Sequence, residues 1–202
     1  MGAPKARPYF TVAQYLAIER KSKDRHEFLD GEIYAMAGES GEHGDISVNV
    51  VTSVAYQLRG KPCRARTIDT KVRSGPNPDA GDSSKGLYSY PDIVVICGEP
   101  QYHDEFRDIV LNPTAIVEVL SKSTESFDRG EKFNRFQTWN PTLRDYILVS
   151  QNQPLIEHFS KQPDGTWTYL RILGLDGNLT IPSIQCTLKL SEVYDRVMFT
   201  ES

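Results

Sequence analysis

The chain has 202 residues, long enough to bury a substantial core and of ordinary size for one domain. Its 39% hydrophobic and 25% charged residues are typical of a water-soluble globular protein. No apolar run approaches the roughly 20 residues of a membrane-spanning helix, and the first seven residues lack the apolar segment of a signal peptide. We therefore predict a cytoplasmic single domain over residues 1–202, with residues 1–8 as a flexible tail.

The net charge of −4 lacks the basic excess that is common in nucleic-acid-binding proteins. One local stretch, residues 59–73, is basic and contains a single acid, Asp69. We hypothesise that Arg64, Arg66 and Lys71 in this stretch contact DNA phosphates. The alternative is a charged strand and helix end that are simply solvated.

The three cysteines are Cys63, Cys97 and Cys186. They are widely separated, odd in number and without metal-ligand spacing. We therefore expect three small buried thiols, with Cys97 at the end of a strand.

The first elements are predicted from capping and turn residues. Thr11 followed by Gln14 forms a capping box, which predicts a helix that ends near Arg20. An Asp30-Gly31 dipeptide between two short alternating segments, 26–29 and 32–36, predicts a β-hairpin.

The next helix is predicted from Asp45 to Gly60, because apolar residues recur there every four positions. His43 then falls in the preceding loop, where a single histidine is usually a surface residue, so we assign it no catalytic role. Residues 63–73 are predicted to form one strand. The Gly- and Pro-rich residues 74–89 are predicted to form a long loop.

Two short apolar segments follow, 93–97 and 114–121. Both are rich in β-branched residues, which indicates strands that are covered on both faces. Glu118 lies inside the second strand, and Asp92 precedes the first. Two carboxylates brought together at such strands require a metal ion or a shared proton. The alternatives are a strand-entry cap for Asp92 and an ion pair with an arginine for Glu118.

A helix capped by Ser126 or Asp128 is predicted next, and it ends at Asn140. Strands are predicted over residues 144–150, 154–160 and 167–173, and a short helix from Ser191.

These segments together resemble one protein family. The resemblance extends from about Val12 to Tyr194. It is carried by residues 25–32 (RHEFLDGE), 90–92 (YPD), 117–121 (VEVLS) with 123–124 (ST), and 128–133 (DRGEKF). A Pro-Asp at a strand start, a glutamate in the next apolar strand and a nearby lysine resemble the PD-(D/E)XK nuclease superfamily, in its restriction-endonuclease-like Uma-two branch.

The resemblance implies an α/β (α+β) fold with a restriction-endonuclease-like mixed central sheet flanked by helices. It also implies that Glu27 joins Asp92 and Glu118 as an additional acidic group. The lysine that the superfamily places two residues after the glutamate is Leu120 here. Lys132, one turn after Asp128 on the following helix, is the expected replacement, and Lys122 is the alternative.

The expected function is a divalent-metal-dependent DNA endonuclease in which Asp92 and Glu118 bind Mg²⁺, with Mn²⁺ as a possible substitute. Lys132 would stabilise negative charge in the transition state. Cleavage of two strands suggests a homodimer. The rival hypothesis is a catalytically inactive scaffold that binds nucleic acid or protein, which the lysine missing from the strand favours.

Overall fold

The computed structural model of the protein describes residues 9–36, 38–79 and 81–199. The tail predicted for residues 1–8 lies outside the described residues. The strands are, in chain order, β1 (His26–Leu29), β2 (Glu32–Ala35), β3 (Cys63–Thr67), β4 (Lys71–Ser74), β5 (Leu87–Ser89), β6 (Ile93–Cys97), β7 (Ile109–Val110), β8 (Ala115–Leu120), β9 (Asp145–Ser150), β10 (Leu155–Lys161), β11 (Trp167–Leu173), β12 (Asn178–Ile181) and β13 (Cys186–Lys189). The helices are α1 (Val12–Glu19), α2 (Gly41–Gln57), α3 (Glu125–Phe127), α4 (Phe133–Trp139) and α5 (Leu190–Val193), and a π-helical turn, Asp128–Lys132, joins α3 to α4.

The central sheet has six strands in the order β11-β10-β9-β8-β6-β3. Strand β6 is antiparallel to β3 and to β8, whereas β8 is parallel to β9. The parallel pair requires a crossover, which α3, the π-helical turn and α4 provide. This arrangement confirms the predicted mixed sheet flanked by helices.

Strand β8 is buried on both faces of this sheet. Val117 and Val119 pack in a cluster that includes the apolar face of α2. Ile116 and Leu120 pack on the opposite face, in a cluster with aromatic residues of α4. Because side chains alternate along a strand, Glu118 lies on the α4 face.

A second sheet has the order β2-β1-β5-β4-β7. Its β1–β2 hairpin turns at Asp30 and Gly31, which have φ angles of +45° and +94°, so the predicted hairpin is confirmed. The capping box of α1 is also confirmed, with Thr11 and Gln14 bonded reciprocally. These elements place β1, and with it Glu27, beside the central sheet.

The single strand predicted over residues 63–73 is wrong. Residues 68–70 interrupt it, so that β3 belongs to the central sheet and β4 to the second sheet. The basic stretch is therefore divided between two sheets. Polar and apolar residues are mixed throughout 63–73, so their pattern does not indicate where the strand is interrupted.

Helix α2 begins four residues earlier than predicted. Ser40 is its N-cap, and the Ser40 hydroxyl accepts a hydrogen bond from the His43 backbone N–H. The first turn contains no apolar residue, which is why the periodic pattern missed it. Likewise, helical structure after β8 begins at Glu125, so the predicted caps Ser126 and Asp128 are wrong.

The predicted set of three free thiols is wrong. Cys63 and Cys97 are direct partners in the antiparallel β3–β6 pair and form a disulfide. They are 34 residues apart in sequence, so only the strand pairing brings them together. Cys186 is a free, buried thiol as expected.

Within the described ranges, no helix is long and apolar enough to cross a membrane.

We predict that Tyr194→Phe destabilises the fold. The buried Tyr194 hydroxyl accepts from the Leu155 N–H and lies within hydrogen-bonding distance of the Ser150 and Leu155 carbonyl oxygens. Its loss leaves buried backbone groups unpaired, at a cost of about 1–3 kcal/mol in the free energy of unfolding. Urea unfolding measures this, with the exposed Tyr56→Phe as the control. Equal midpoints for the two variants would contradict the prediction.

Candidate active site

Asp92 lies immediately before β6 and is fixed by the backbone of β8. The β6–β8 register pairs Ile93 with Val117, and continuing this register by one residue sets Asp92 opposite Glu118. One Asp92 oxygen, Oδ2, accepts a 2.7 Å hydrogen bond from the Val119 N–H. The two predicted acidic residues therefore lie at the same end of two neighbouring strands.

Glu118 is only 3% exposed. Burial raises the pKa of its carboxyl well above the usual value; the charge of Lys132 opposes this rise, while those of Asp128 and Asp92 add to it. A carboxylate in this position needs positive charge nearby.

Lys132 supplies that charge from the π-helical turn. Its ammonium lies 2.8 Å from Glu118 Oε1, 3.2 Å from Asp128 Oδ1 and 3.9 Å from Glu27 Oε1. Burial lowers the pKa of Lys132, but these carboxylates outweigh it and hold the pKa well above its ordinary value. The ammonium is therefore protonated at neutral pH.

The contact between Lys132 and Glu118 Oε1 is an ion pair without hydrogen-bond alignment. Oε1 has no aligned hydrogen-bond partner among the described residues, although its distance to the ammonium is 2.8 Å. The ammonium stabilises the charge on Oε1 at this distance, and the oxygen still has a lone pair available because a carboxylate oxygen can accept two hydrogen bonds. Glu118 Oε1 is thus a buried oxygen with unused acceptor capacity.

The π-helical turn positions the side chain of Lys132. Asp128 and Lys132 are both buried in this turn, while Phe133 and Phe136 that follow pack under the sheet. The Tyr146 hydroxyl holds the turn by donating to the Asp128 carbonyl oxygen. Such turns often occur at functional sites because they redirect side chains.

Glu27 joins this group from the second sheet. Its Oε1 accepts a 3.1 Å hydrogen bond from the Tyr90 N–H. The next residue, Phe28, is fully buried on the other side of β1. The structure thus brings Glu27, Asp92, Glu118 and Lys132 together.

Lys122 lies apart from this group and is exposed. Strand alternation alone would not exclude Lys122 as the lysine near Glu118, since residues 118, 120 and 122 share one face of an extended strand. The strand ends at Leu120, however, and the chain turns away before Lys122.

His43 is the site residue that sequence reasoning missed. Its Nε2 lies 2.9 Å from Asp92 Oδ1. Burial lowers the pKa of His43, but the hydrogen bond and charge of Asp92 outweigh it and raise the pKa. The sequence did contain a pattern that places His43 on this helix. His43 lies three residues before Ile46 and seven before Val50, which is the spacing of one helix face, and this is the buried face of α2.

The three residues hypothesised to bind phosphates are not all together. Arg64 is exposed and Arg66 half-buried on β3, opposite Ile96 and Val94, so they lie on the same face of the sheet as Glu118. Lys71 is buried in β4, where its ammonium lies 3.0 Å from Asp108. In this position Lys71 is not free to contact a phosphate.

The donor set fits a small oxygen-ligand site. Asp92 and Glu118 offer carboxylate oxygens, and Mg²⁺ commonly takes only one or two protein carboxylates and keeps several waters. Across the described part of the chain, no group of three or more His, Cys, Asp or Glu residues is arranged to hold a metal.

Comparisons with known proteins support this fold and identify a family. A family model described as "Uma2: Putative restriction endonuclease" matches residues 12–191. Two uncharacterized proteins of Synechocystis sp. are similar: slr1290 is 34% identical, with 95% of each chain covered, and sll1609 is 30% identical, with 81% of this chain and 88% of its own covered.

Among solved structures, a putative nuclease belonging to DUF820 from Anabaena variabilis has a TM-score of 0.73. The match covers 94% of this chain and 99% of that one, at 14% sequence identity, so it supports the fold alone. The family model spans most of the chain. The chain therefore belongs to the Uma2 family of putative restriction endonucleases.

Proposed function

We propose that the protein is a divalent-metal-dependent DNA endonuclease. Asp92 and Glu118 are the proposed metal ligands, Lys132 the proposed catalytic cation, and Glu27 an additional acidic group. The family and the fold support a nuclease. The metal, the roles of the residues and the DNA substrate are our proposal.

The observation that carries the proposal is the distance of 2.8 Å between Lys132 Nζ and Glu118 Oε1. In the superfamily that the sequence resembles, the lysine follows the glutamate by two residues in the same strand, where this chain has Leu120. Lys132 brings an ammonium to the same carboxylate from the following helix. The proposed phosphodiester hydrolysis needs two carboxylates and an ammonium, and Asp92, Glu118 and Lys132 would supply them.

The charge balance also supports a bound cation. Lys132 lies close to the carboxylates of Glu27, Asp128 and Glu118, and Asp92 faces Glu118 across the strands. Burial and the charges of Asp128 and Asp92 raise the pKa of Glu118, and this crowding of acidic groups around one ammonium is costly in a buried site. A divalent cation at Asp92 and Glu118 would relieve it, and Mg²⁺ is our first choice, with Mn²⁺ as a substitute.

Each residue then has a defined task. When bound, the metal would polarise a phosphoryl oxygen and favour ionisation of the attacking water. Asp92 and Glu118 would hold the metal, and the protonated Lys132 would stabilise the negative charge that develops on the phosphate. The raised pKa of Lys132 suits this electrostatic task rather than that of a base.

A cleft of about 460 Å³ reaches Asp92 from the side of α2. Its lining includes Glu39, Asp45, Asp92 and Asp195, with Arg196 as a cation. This acidic lining would repel a phosphate backbone. We therefore propose that DNA approaches on the other face, where Arg64 and Arg66 lie on the same side of the sheet as Glu118.

The rival function is a nuclease-like scaffold that binds nucleic acid or protein without cleavage. The ion pair between Glu118 and Lys132 would serve such a scaffold equally well, because the ammonium stabilises the buried carboxylate without any metal. The unaligned Glu118 Oε1 and the excess of carboxylates favour the enzyme. A cleavage assay with Mg²⁺ or Mn²⁺ against an EDTA control distinguishes the two.

We predict that Asp92→Ala and Glu118→Ala each abolish metal-dependent cleavage, because each removes a metal ligand.

Lys132→Met should lower the single-turnover rate by about 10²-fold or more, with metal affinity largely kept. Lys122→Met is the matched control, since it removes an exposed lysine near the same strand. Parent-like cleavage by both alanine variants would show that the site is wrong, and a larger effect at Lys122 would move the catalytic charge there.

A second prediction concerns Arg64 and Arg66. The double variant Arg64→Ala, Arg66→Ala should weaken DNA binding and reduce its salt dependence by roughly one unit of slope for each lost phosphate contact. Titration of a labelled duplex at several salt concentrations measures the slope. Lys189→Ala, which removes an exposed charge from β13, is the control. An unchanged slope in the double variant would mean that neither arginine contacts a phosphate.

We also propose that the protein is a homodimer, because two-fold symmetry matches that of a duplex. Strand β11 ends the central sheet and exposes Tyr169, Leu170 and Leu173, and natural proteins usually cover such an edge. Antiparallel pairing of two copies about Leu170 would set Arg171 opposite Tyr169, so no like charges meet. Sedimentation should give twice 22.8 kDa for the parent and the monomer mass for Leu170→Lys. A monomeric parent protein would contradict this.

A further inference from the structure

His43 belongs to a closed chain of hydrogen bonds around the end of β8. The Val119 N–H donates to Asp92 Oδ2, and Asp92 Oδ1 lies 2.9 Å from His43 Nε2. On the other side of the ring, His43 Nδ1 lies 3.2 Å from Gln151 Nε2, which donates to the Leu120 carbonyl oxygen at 2.8 Å. The chain begins and ends on neighbouring residues of the strand that carries Glu118.

The direction of these hydrogen bonds follows from chemistry. A carbonyl oxygen only accepts, so the Gln151 atom facing Leu120 is the amide nitrogen. The Ser40 hydroxyl lies 2.9 Å from Gln151 Oε1, which agrees with this orientation. The second N–H of Gln151 then meets His43 Nδ1, which must accept. The neutral His43 ring therefore carries its proton on Nε2 and donates it to Asp92 Oδ1.

Both oxygens of Asp92 are thus held by donors, one from the backbone of β8 and one from α2. Each carboxylate oxygen keeps further acceptor capacity for a cation. His43 has a side chain that is only 12% exposed, so its ring is packed as well as bonded. The hydrogen bonds that give this support are made by His43, Gln151 and the backbone of β8, and Lys132 is in none of them.

We propose that His43, oriented by Gln151, is a positioning residue that fixes the Asp92 carboxylate for binding a divalent metal. This inference rests on the proposed function in one respect, the assignment of Asp92 as a metal ligand. Hydrogen-bond partners that orient metal ligands typically contribute a factor of about 10 to 100 in metal affinity. The role of His43 should therefore be visible in binding, without any cleavage.

The test is Mn²⁺ binding, measured from the free Mn²⁺ signal in electron paramagnetic resonance. His43→Ala should weaken Mn²⁺ binding by about 10- to 100-fold. Gln151→Leu should weaken it in the same direction by a smaller factor, since it frees the ring without removing it. His43→Gln should recover part of the affinity, because its side-chain N–H can replace the Nε2 donor.

The controls separate positioning from general stability. Asn49→Ala, on the same helix, loses hydrogen bonds to the Val193 and Asp195 carbonyl oxygens and should keep the parent Mn²⁺ affinity. Urea unfolding of every variant shows that it is folded, and if His43→Ala does not fold, Gln151→Leu and His43→Gln decide the question. Asp92→Ala should abolish binding.

The outcomes distinguish the two proposals. Parent binding that is lost in Asp92→Ala but unchanged in His43→Ala and Gln151→Leu would overturn the positioning role and leave the proposed metal site standing. Absence of Mn²⁺ binding by the parent protein would overturn both. Equal losses in His43→Ala and Asn49→Ala would show an effect on stability rather than on Asp92.

Discussion

The burial of the Glu118 carboxylate beside Lys132 is the constraint on which the site depends. A carboxylate inside a fully covered strand is tolerated only with a cation at close range. That cation comes from a different element, so the strand, the crossover and the π-helical turn must all be in place before the pair can form. The same pair keeps Lys132 protonated, and the β6–β8 register sets Glu118 opposite Asp92, so the ion pair and the strand pairing together link the fold to the proposed chemistry.

The positions of Asp92, Glu118 and Lys132 could be predicted because their sequence context is local. Apolar β-branched residues on both sides of Glu118 require a covered strand, and a buried acid in such a strand requires a partner. The family resemblance supplied the order of the segments and the choice of Lys132. The hairpin at Asp30 and Gly31 and the capping box of α1 were predictable for the same reason, since each depends on neighbouring residues.

The contacts that were missed are those made between distant segments. Cys63 meets Cys97 only through strand pairing, and Lys71 meets Asp108 only because β4 leaves the central sheet for the second one. His43 was assigned to a loop because an apolar pattern marks only the part of a helix that packs on the core. Its contact with Asp92 spans 49 residues, and no local pattern predicts such a pair.

We have proposed that Asp92 and Glu118 together bind a divalent metal next to Lys132. Anomalous diffraction from crystals soaked in Mn²⁺ locates the ion directly and does not depend on knowing the DNA substrate. We expect an Mn²⁺ peak in contact with both carboxylates. A peak elsewhere, or a site that stays closed by the ion pair between Glu118 and Lys132 at saturating Mn²⁺, would contradict it and support the non-catalytic scaffold.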